Sequence, residues 1–250
     1  AGYRRVCTEF FRRKINKGSE FKVFVEENFT PFLVQTDGNA EGKFTSYYES
    51  EIHASRSHHD KYVYPVYGRP ADLIELNLKD FDPDLPNMRL VGRVSGQKML
   101  PYYTREEIEK APFAAPVLLW GDSAVDIHIM QIQGSAVAKL DDGSSVRIGY
   151  ADNNGRRFRG IGSILLEKGL LKPGKADMIS IKKWLNDNPA EAQKLMRENE
   201  RYIFHRIIEG KGPVGAFGVP LTAGRSLAVD RRYVPLGALM WLSTRTPDGK

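Results

Sequence analysis

The chain has 250 residues, with 37 lysines and arginines against 31 acidic side chains, a net charge of +6, and 41% hydrophobic and 27% charged residues. That is the composition of an ordinary globular chain, long enough to bury a sizeable core without disulfides or a structural metal. The single cysteine, Cys7, excludes an internal disulfide framework and a zinc knuckle, and no apolar run approaches the roughly 20 residues of a membrane-crossing helix.

The opening AGYRRVCTEFF lacks the apolar heart of a signal peptide, so any export signal or lipid anchor is expected to have been removed. The first 30 residues read as two helices. Val6, Phe10 and Phe11 carry the first, Gly18 breaks it, and a second runs from Ser19 through Phe29 to a stop at Pro31. The texture then turns to strand. KFTSYYESEIHAS, from Lys43, sets β-forming aromatics among small polar residues after a turn at Asp37 to Asn39. Prolines and glycines crowd residues 62 to 101, which predicts loops with short strands.

Thr104-Arg-Glu-Glu107 is a helix-capping box, and VLLW at 117 to 120 is a candidate buried strand. QGSAVAKL and SSVRIGY flank Asp141-Asp142-Gly143, the strongest hairpin signal in the chain. Helices are predicted over Ile161 to Lys168, Met178 to Asn186 and Ala190 to Glu198, followed by the strand YIFHR. The glycine-rich stretch from Gly210 to Gly218 is the expected domain boundary. Beyond it, the tail reads as short strands and turns ending at Pro247-Asp248-Gly249.

Several groups of residues carry chemistry, each with a plain alternative. Read as a strand, Gln131 to Ser135 puts Gln131, Gln133 and Ser135 on one face, near Tyr150, Asn153 and Asn154 across the hairpin. Amides, hydroxyls and a ring together suit a hydroxyl-rich ligand; the alternative is a solvated strand face. Thr45-Ser46-Tyr47-Tyr48 offers tyrosines that can cover a sugar while their hydroxyls stay wet, or a strand split between core and surface. Asp230, ahead of Arg231 and Arg232, is a carboxylate that an ion pair or turn would also explain. His58-His59-Asp60 has no evident third ligand and reads as surface, so neither metal nor cofactor is expected. Gly210-Lys211-Gly212 lacks phosphate-loop spacing, and Gly134-Ser135 is not a nucleophile elbow. Glycosidic cleavage usually needs two carboxyl groups, and nothing local selects a pair among 31 acids.

FTSYYESEI (44–52), YPVYGRP (64–70), MQIQGSAVAKLDDGSSVRIGYADNNGRRFRGIG (130–162), ISIKKWLNDNP (179–189) and GVPLTAGRSLAVDRRYVPLGA (218–238) occur in order. Together they resemble the membrane-bound lytic murein transglycosylase A family. The resemblance implies a mainly β protein with flanking helices: a double-psi β-barrel from residues 1–51 and 213–250, with a smaller β-rich domain, 52–212, inserted into it. It implies a glycan groove lined by Thr45, Tyr47 and Tyr48 on one side and by Gln133, Gly134, Ser135, Tyr150 and Asn154 on the other, with Asp230 part of its architecture.

The implied reaction is non-hydrolytic cleavage of peptidoglycan to 1,6-anhydromuramyl products, in the periplasm and in association with the outer membrane. Ser46 stands where the family usually has glycine. The family's catalytic Asp is expected in an acidic motif after Lys250, so the chain reads as part of a longer enzyme, with Asp230 a fallback only. The alternative is a non-catalytic glycan-binding protein. Nucleic acid is disfavoured, because the aromatics neighbour Ser, Thr and Glu rather than interleaving with Lys and Arg.

Overall fold

The computed structural model describes residues 2–35, 38–42, 49–110, 112–210 and 212–244. The chain divides into two compact units, Ala1–Tyr47 and Tyr48–Lys250. The first is a helical hairpin of α1 (Gly2–Arg12) and α2 (Gly18–Asn28), the pair predicted from Val6, Phe10 and the Gly18 break. Val6 and Phe24 are buried, and Phe10 meets Phe21 and Phe24 edge-on at 5.9 and 5.4 Å. Arg13 then spans both helices, bonding Glu9 and Glu27.

The second unit is built on two sheets. Its strands are β1 (Ser50–Ser55), β2 (Tyr64–Tyr67), β3 (Ile74–Asn77), β4 (Arg89–Ser95), β5 (Lys98–Pro101), β6 (Val117–Gly121), β7 (Ser135–Leu140), β8 (Ser145–Asn153) and β9 (Ile203–Ile208). Six of them form a mixed sheet in the order β2-β6-β1-β7-β8-β9, and β3-β4-β5 form a small antiparallel sheet. Only β1 and β7 run parallel within the large sheet; its other pairs are antiparallel.

Alternation along β1 turns Ser50, Ile52 and Ala54 inward and Glu51 and His53 outward. Ile52, Leu119, Ala136, Ala138 and Ile148 build the inner core of the large sheet. The predicted hairpin is present as β7 and β8, turning at Gly143, whose φ of +82° suits glycine. The edge strands approach at a single bridge, Gly68 to His205, so the sheet curls without closing into a barrel.

Five helices complete the unit: α3 (Arg105–Lys110), α4 (Ala124–Gln133), α5 (Ile161–Glu167), α6 (Met178–Asp187) and α7 (Pro189–Arg197). The capping box is formed as expected, with the Thr104 N–H donating to Glu107 Oε2 at 2.7 Å and the Glu107 N–H donating to Thr104 Oγ1 at 3.3 Å. The predicted helices after residue 160 match α5, α6 and α7 to within a residue or so at each end. The outcome is the mainly β core with flanking helices that the sequence implied. Among the described residues, no helix is long and apolar enough to cross a membrane.

Two expectations need correction. Gln131 and Gln133 lie on α4, not on a strand. This helix is buried on two sides: Ile127 and Met130 pack on the large sheet, while Val125 and Ile129 pack among α5, α6 and α7. Burial on two sides blurs the one-sided 3.6-residue stripe, and what remains of IHIMQIQ alternates like a strand. The true signals are the caps. Ser123 Oγ accepts from the Asp126 N–H at 3.1 Å, and Gly134 closes the helix at φ +83°. The second correction concerns the tail: among residues 212–244 there are turns and one isolated bridge, Val214 to Pro220, rather than strands.

Candidate functional site

The C-terminal end of α4, strand β8 and the segments before β9 enclose an open pocket of about 360 Å³. Gln131, Ile132 and Gly134 come from the helix end, Tyr150 from β8, Phe158 from the loop after it, and Asn199, Arg201 and Ile203 from the approach to β9. Arg105, the first residue of α3, completes the lining. Tyr150 and Phe158 present exposed rings at the rim. The lining contains two arginines and no carboxylate.

Tyr150 is held by its neighbours. The amide of Asn153 donates to Tyr150 Oη at 2.6 Å, and Asn153 Oδ1 accepts from the Gly155 N–H at 2.9 Å. Asn154 has a different task. Its Nδ2 donates to the carbonyls of Tyr103 and Glu200, both at 2.8 Å, and its Oδ1 accepts from the Tyr202 N–H at 2.9 Å. With its polar atoms spent inside the protein, Asn154 ties together three segments around the pocket instead of facing into it.

Arg105 is buried and almost wholly satisfied. It donates to the carbonyls of Asn199 at 3.0 Å and Arg201 at 2.7 Å and to Glu109 at 3.2 Å, and its guanidinium lies 5.1 Å from the Tyr202 ring centre. Burial pulls its pKa down, opposed by Glu109, and burial pushes the Tyr202 phenol up. His128, one helical turn before Gln131, is buried with neither ring nitrogen bonded. Desolvation first, and the Arg105 charge second, hold it well below the ordinary histidine range and therefore neutral.

Of the residues the sequence singled out, the structure brings Gly134 and Tyr150 to the pocket. Gln133 is exposed and Ser135, half-buried, opens β7; a helical residue two places from Gln131 points away from it, so the three do not share a face. Thr45, Tyr47 and Tyr48 lie outside the described residues. Asp230, with 43% of its side chain exposed, pairs with Arg232 at 2.6 Å and accepts the Arg232 N–H at 2.9 Å. That side-chain bond keeps its carboxyl below the ordinary aspartate value, the reverse of what a proton donor requires.

His59 is not free surface. Its Nε2 meets Asp141 at 2.9 Å and Ser55 at 3.1 Å, its Nδ1 meets Asp60 at 3.0 Å, and the two aspartates raise its pKa. Arg105, Asn199 and Arg201 were missed because their placement depends on partners far along the chain. The Arg105 contacts to Asn199 and Arg201 span 94 and 96 residues.

A curled mixed sheet, crossed on one face by a largely buried helix that ends at an open pocket, is an architecture with known counterparts. The MltA specific insert domain matches residues 43–206, and the chain belongs to the MltA family. Membrane-bound lytic murein transglycosylase A of Escherichia coli K12 is 28% identical over 201 residues, 79% of this chain and 48% of that protein. The monoclinic crystal structure of MltA from Neisseria gonorrhoeae superposes with a TM-score of 0.68 at 33% identity, covering 77% of this chain and 56% of that one. E. coli MltA with bound chitohexaose gives a TM-score of 0.58 at 26% identity, over 77% of this chain and 51% of that one. The chain spans about half the length of the curated relatives it matches.

Proposed function

We propose that this chain is the glycan-handling part of a lytic transglycosylase. On this reading the enzyme cleaves the β-1,4 bond between N-acetylmuramic acid and N-acetylglucosamine in peptidoglycan and leaves a 1,6-anhydromuramyl end. The observation that carries the reading is the pocket: the exposed aromatic residues Tyr150 and Phe158 line it together with the polar side chains of Gln131 and Arg201. A sugar has an apolar C–H face for a ring and hydroxyl and amide groups for polar partners. The likeness to a relative solved with chitohexaose supports the same ligand class.

The chemistry needs one carboxyl group used twice. Protonated, it donates to the leaving glycosidic oxygen; as carboxylate, it takes the proton from the muramyl C6 hydroxyl as that oxygen attacks C1. Nucleophile and electrophile belong to one ring, so effective molarity replaces the second carboxylate that activates water in a hydrolase. Such an acid needs a raised pKa, which Asp230 lacks, and we place it in the part of the protein beyond residue 250. Residues 1–51 and 213–250 are assigned to a double-psi barrel into which 52–212 is inserted, with Thr45, Tyr47 and Tyr48 on the barrel side of the groove. Substrate puts the enzyme in the cell envelope, at the murein of the periplasm, associated with the outer membrane.

The test is mass spectrometry of soluble products from purified murein incubated with this chain and with a chain extended past Lys250. Anhydro-muropeptides from the extended chain alone are expected. Reducing ends would make it a hydrolase, and release by neither chain would leave a glycan-binding protein. Anhydro products from the 250-residue chain would return the acid to these residues, with Asp230 the first to replace.

A further inference from the structure

Tyr150 stands at the rim of the pocket, 44% exposed, and its phenol oxygen is already engaged on one side. The partner is the Asn153 amide, whose Nδ2 donates to Tyr150 Oη at 2.6 Å. A phenol oxygen carries one hydrogen and accepts through its lone pairs. Because Asn153 brings a hydrogen of its own to that contact, the Tyr150 hydrogen cannot lie between the two groups and is turned away from the amide. Among the described residues nothing else bonds Tyr150 Oη, so this hydrogen is left for a ligand.

The direction holds only if the amide cannot flip, and its surroundings prevent that. Asn153 is 4% exposed, so solvent does not compete for its groups. Its Oδ1 accepts from the Gly155 N–H at 2.9 Å, and a flipped amide would set Nδ2 against that N–H, donor against donor. The Gly155 backbone is itself fixed: it lies at φ +71° and packs against Val91 of β4, where a Cβ would come within 2.7 Å of the valine side chain. The turn therefore orients the amide, and the amide orients the phenol.

We infer that Asn153 is a positioning residue that fixes Tyr150 as a hydrogen-bond donor, so that this part of the rim receives an acceptor oxygen of the ligand. The inference rests on the glycan reading and deepens it. A free tyrosine meets sugar hydroxyls in either sense, whereas one held in this way matches oxygens that only accept. An aminosugar strand offers two kinds, the acetamido carbonyl and the ether oxygens of its rings and linkages.

The experiment is calorimetric titration of the chain and its Tyr150→Phe, Asn153→Asp and Asn153→Ala variants with chitohexaose, with thermal melts to check that each is folded. Tyr150→Phe removes the donor and is expected to weaken binding about three- to tenfold, the size of one hydrogen bond. Asn153→Asp keeps the shape but accepts the phenol hydrogen, which turns lone pairs toward the ligand, and should weaken binding at least as much. Asn153→Ala leaves the phenol free to rotate and should cost less than either. A packing role predicts the opposite order, with alanine worse than the isosteric aspartate, and that order overturns the inference. Asn153→Asp added to Tyr150→Phe should cost nothing further, and additive losses would equally reject the coupling. Cellohexaose, which keeps the ether oxygens and lacks the acetamido group, separates the two acceptors: equal losses with both ligands assign an ether oxygen, and a loss seen with chitohexaose alone assigns the carbonyl. Full affinity in Tyr150→Phe or in Asn153→Asp overturns the inference while the glycan reading stands. Failure of the unsubstituted chain to bind chitohexaose overturns both.

Discussion

His205 lies on β9 with both ring nitrogens buried and unbonded, and burial pushes its pKa from 6.5 down to about 4. The folded state therefore keeps this ring neutral where the unfolded chain already takes up a proton. Stability is full above the ordinary histidine value and is lost as pH falls from there toward about 4, by on the order of 3 kcal/mol. His128 acts in the same direction, its pKa also lowered by burial. Urea denaturation from pH 7.5 to 4 should show this slope, and His205→Leu should flatten it; an unchanged slope would show that His205 does not set it. At this scale the sequence spoke unevenly. Tyr150 could be picked out because a strand beside a hairpin places its alternate residues. Arg105 could not, since an arginine just inside a capping box reads as solvated until the carbonyls of Asn199 and Arg201 arrive from the far end of the domain.

The small β3-β4-β5 sheet is tied to the large one through one carboxylate. Asp152, 2% exposed on β8, accepts from Arg69 Nε at 2.8 Å and from Arg89 Nη2, on β4, at 2.5 Å, while Glu75 on β3 pairs with Arg89 at 2.7 Å. The arginines lower the Asp152 pKa although its own burial opposes them. Asp152→Asn leaves the geometry but removes the charge, and should cost about 1–3 kcal/mol, below the value for a fully buried pair because both arginines reach water. Hydrogen exchange should locate the loss: amides of β4 are expected to exchange faster than those of β7, and uniform acceleration would reject the sheet-to-sheet tie. Elements were legible where their signals were local. The hairpin, the capping box and the helices after residue 160 announce themselves through turns and caps, whereas α4 was masked because its neighbours bury it on both sides.

At the scale of the molecule, the net charge of +6 suits the murein substrate proposed above, whose strands carry lactyl and peptide carboxylates. Association with murein sacculi should slow roughly three- to tenfold between about 0.05 and 0.5 M salt, with dissociation much less affected, because screening acts on the approach of exposed charges. Rates followed by surface binding would check this, and a salt-independent on-rate would remove steering from the account. The architecture as a whole was legible only through the order of the motifs. Strand pairing such as β1 with β7, which sets the sheet order, joins residues about 85 apart and leaves no periodic trace in either segment.

The bonds that Asn154 makes to Tyr103 and Glu200 cross 51 and 46 positions of the chain. Such a closure cannot form early, because the entropy of joining distant segments must be met before the contacts reward it. The hairpin of β7 and β8 can pair as soon as it leaves the ribosome, but the wall bearing Arg201 and Ile203 does not yet exist. The chain thus completes this pocket in the last act of folding, after β9 has been synthesised, and a nascent or partly unfolded chain lacks the face to which the proposed function assigns the glycan.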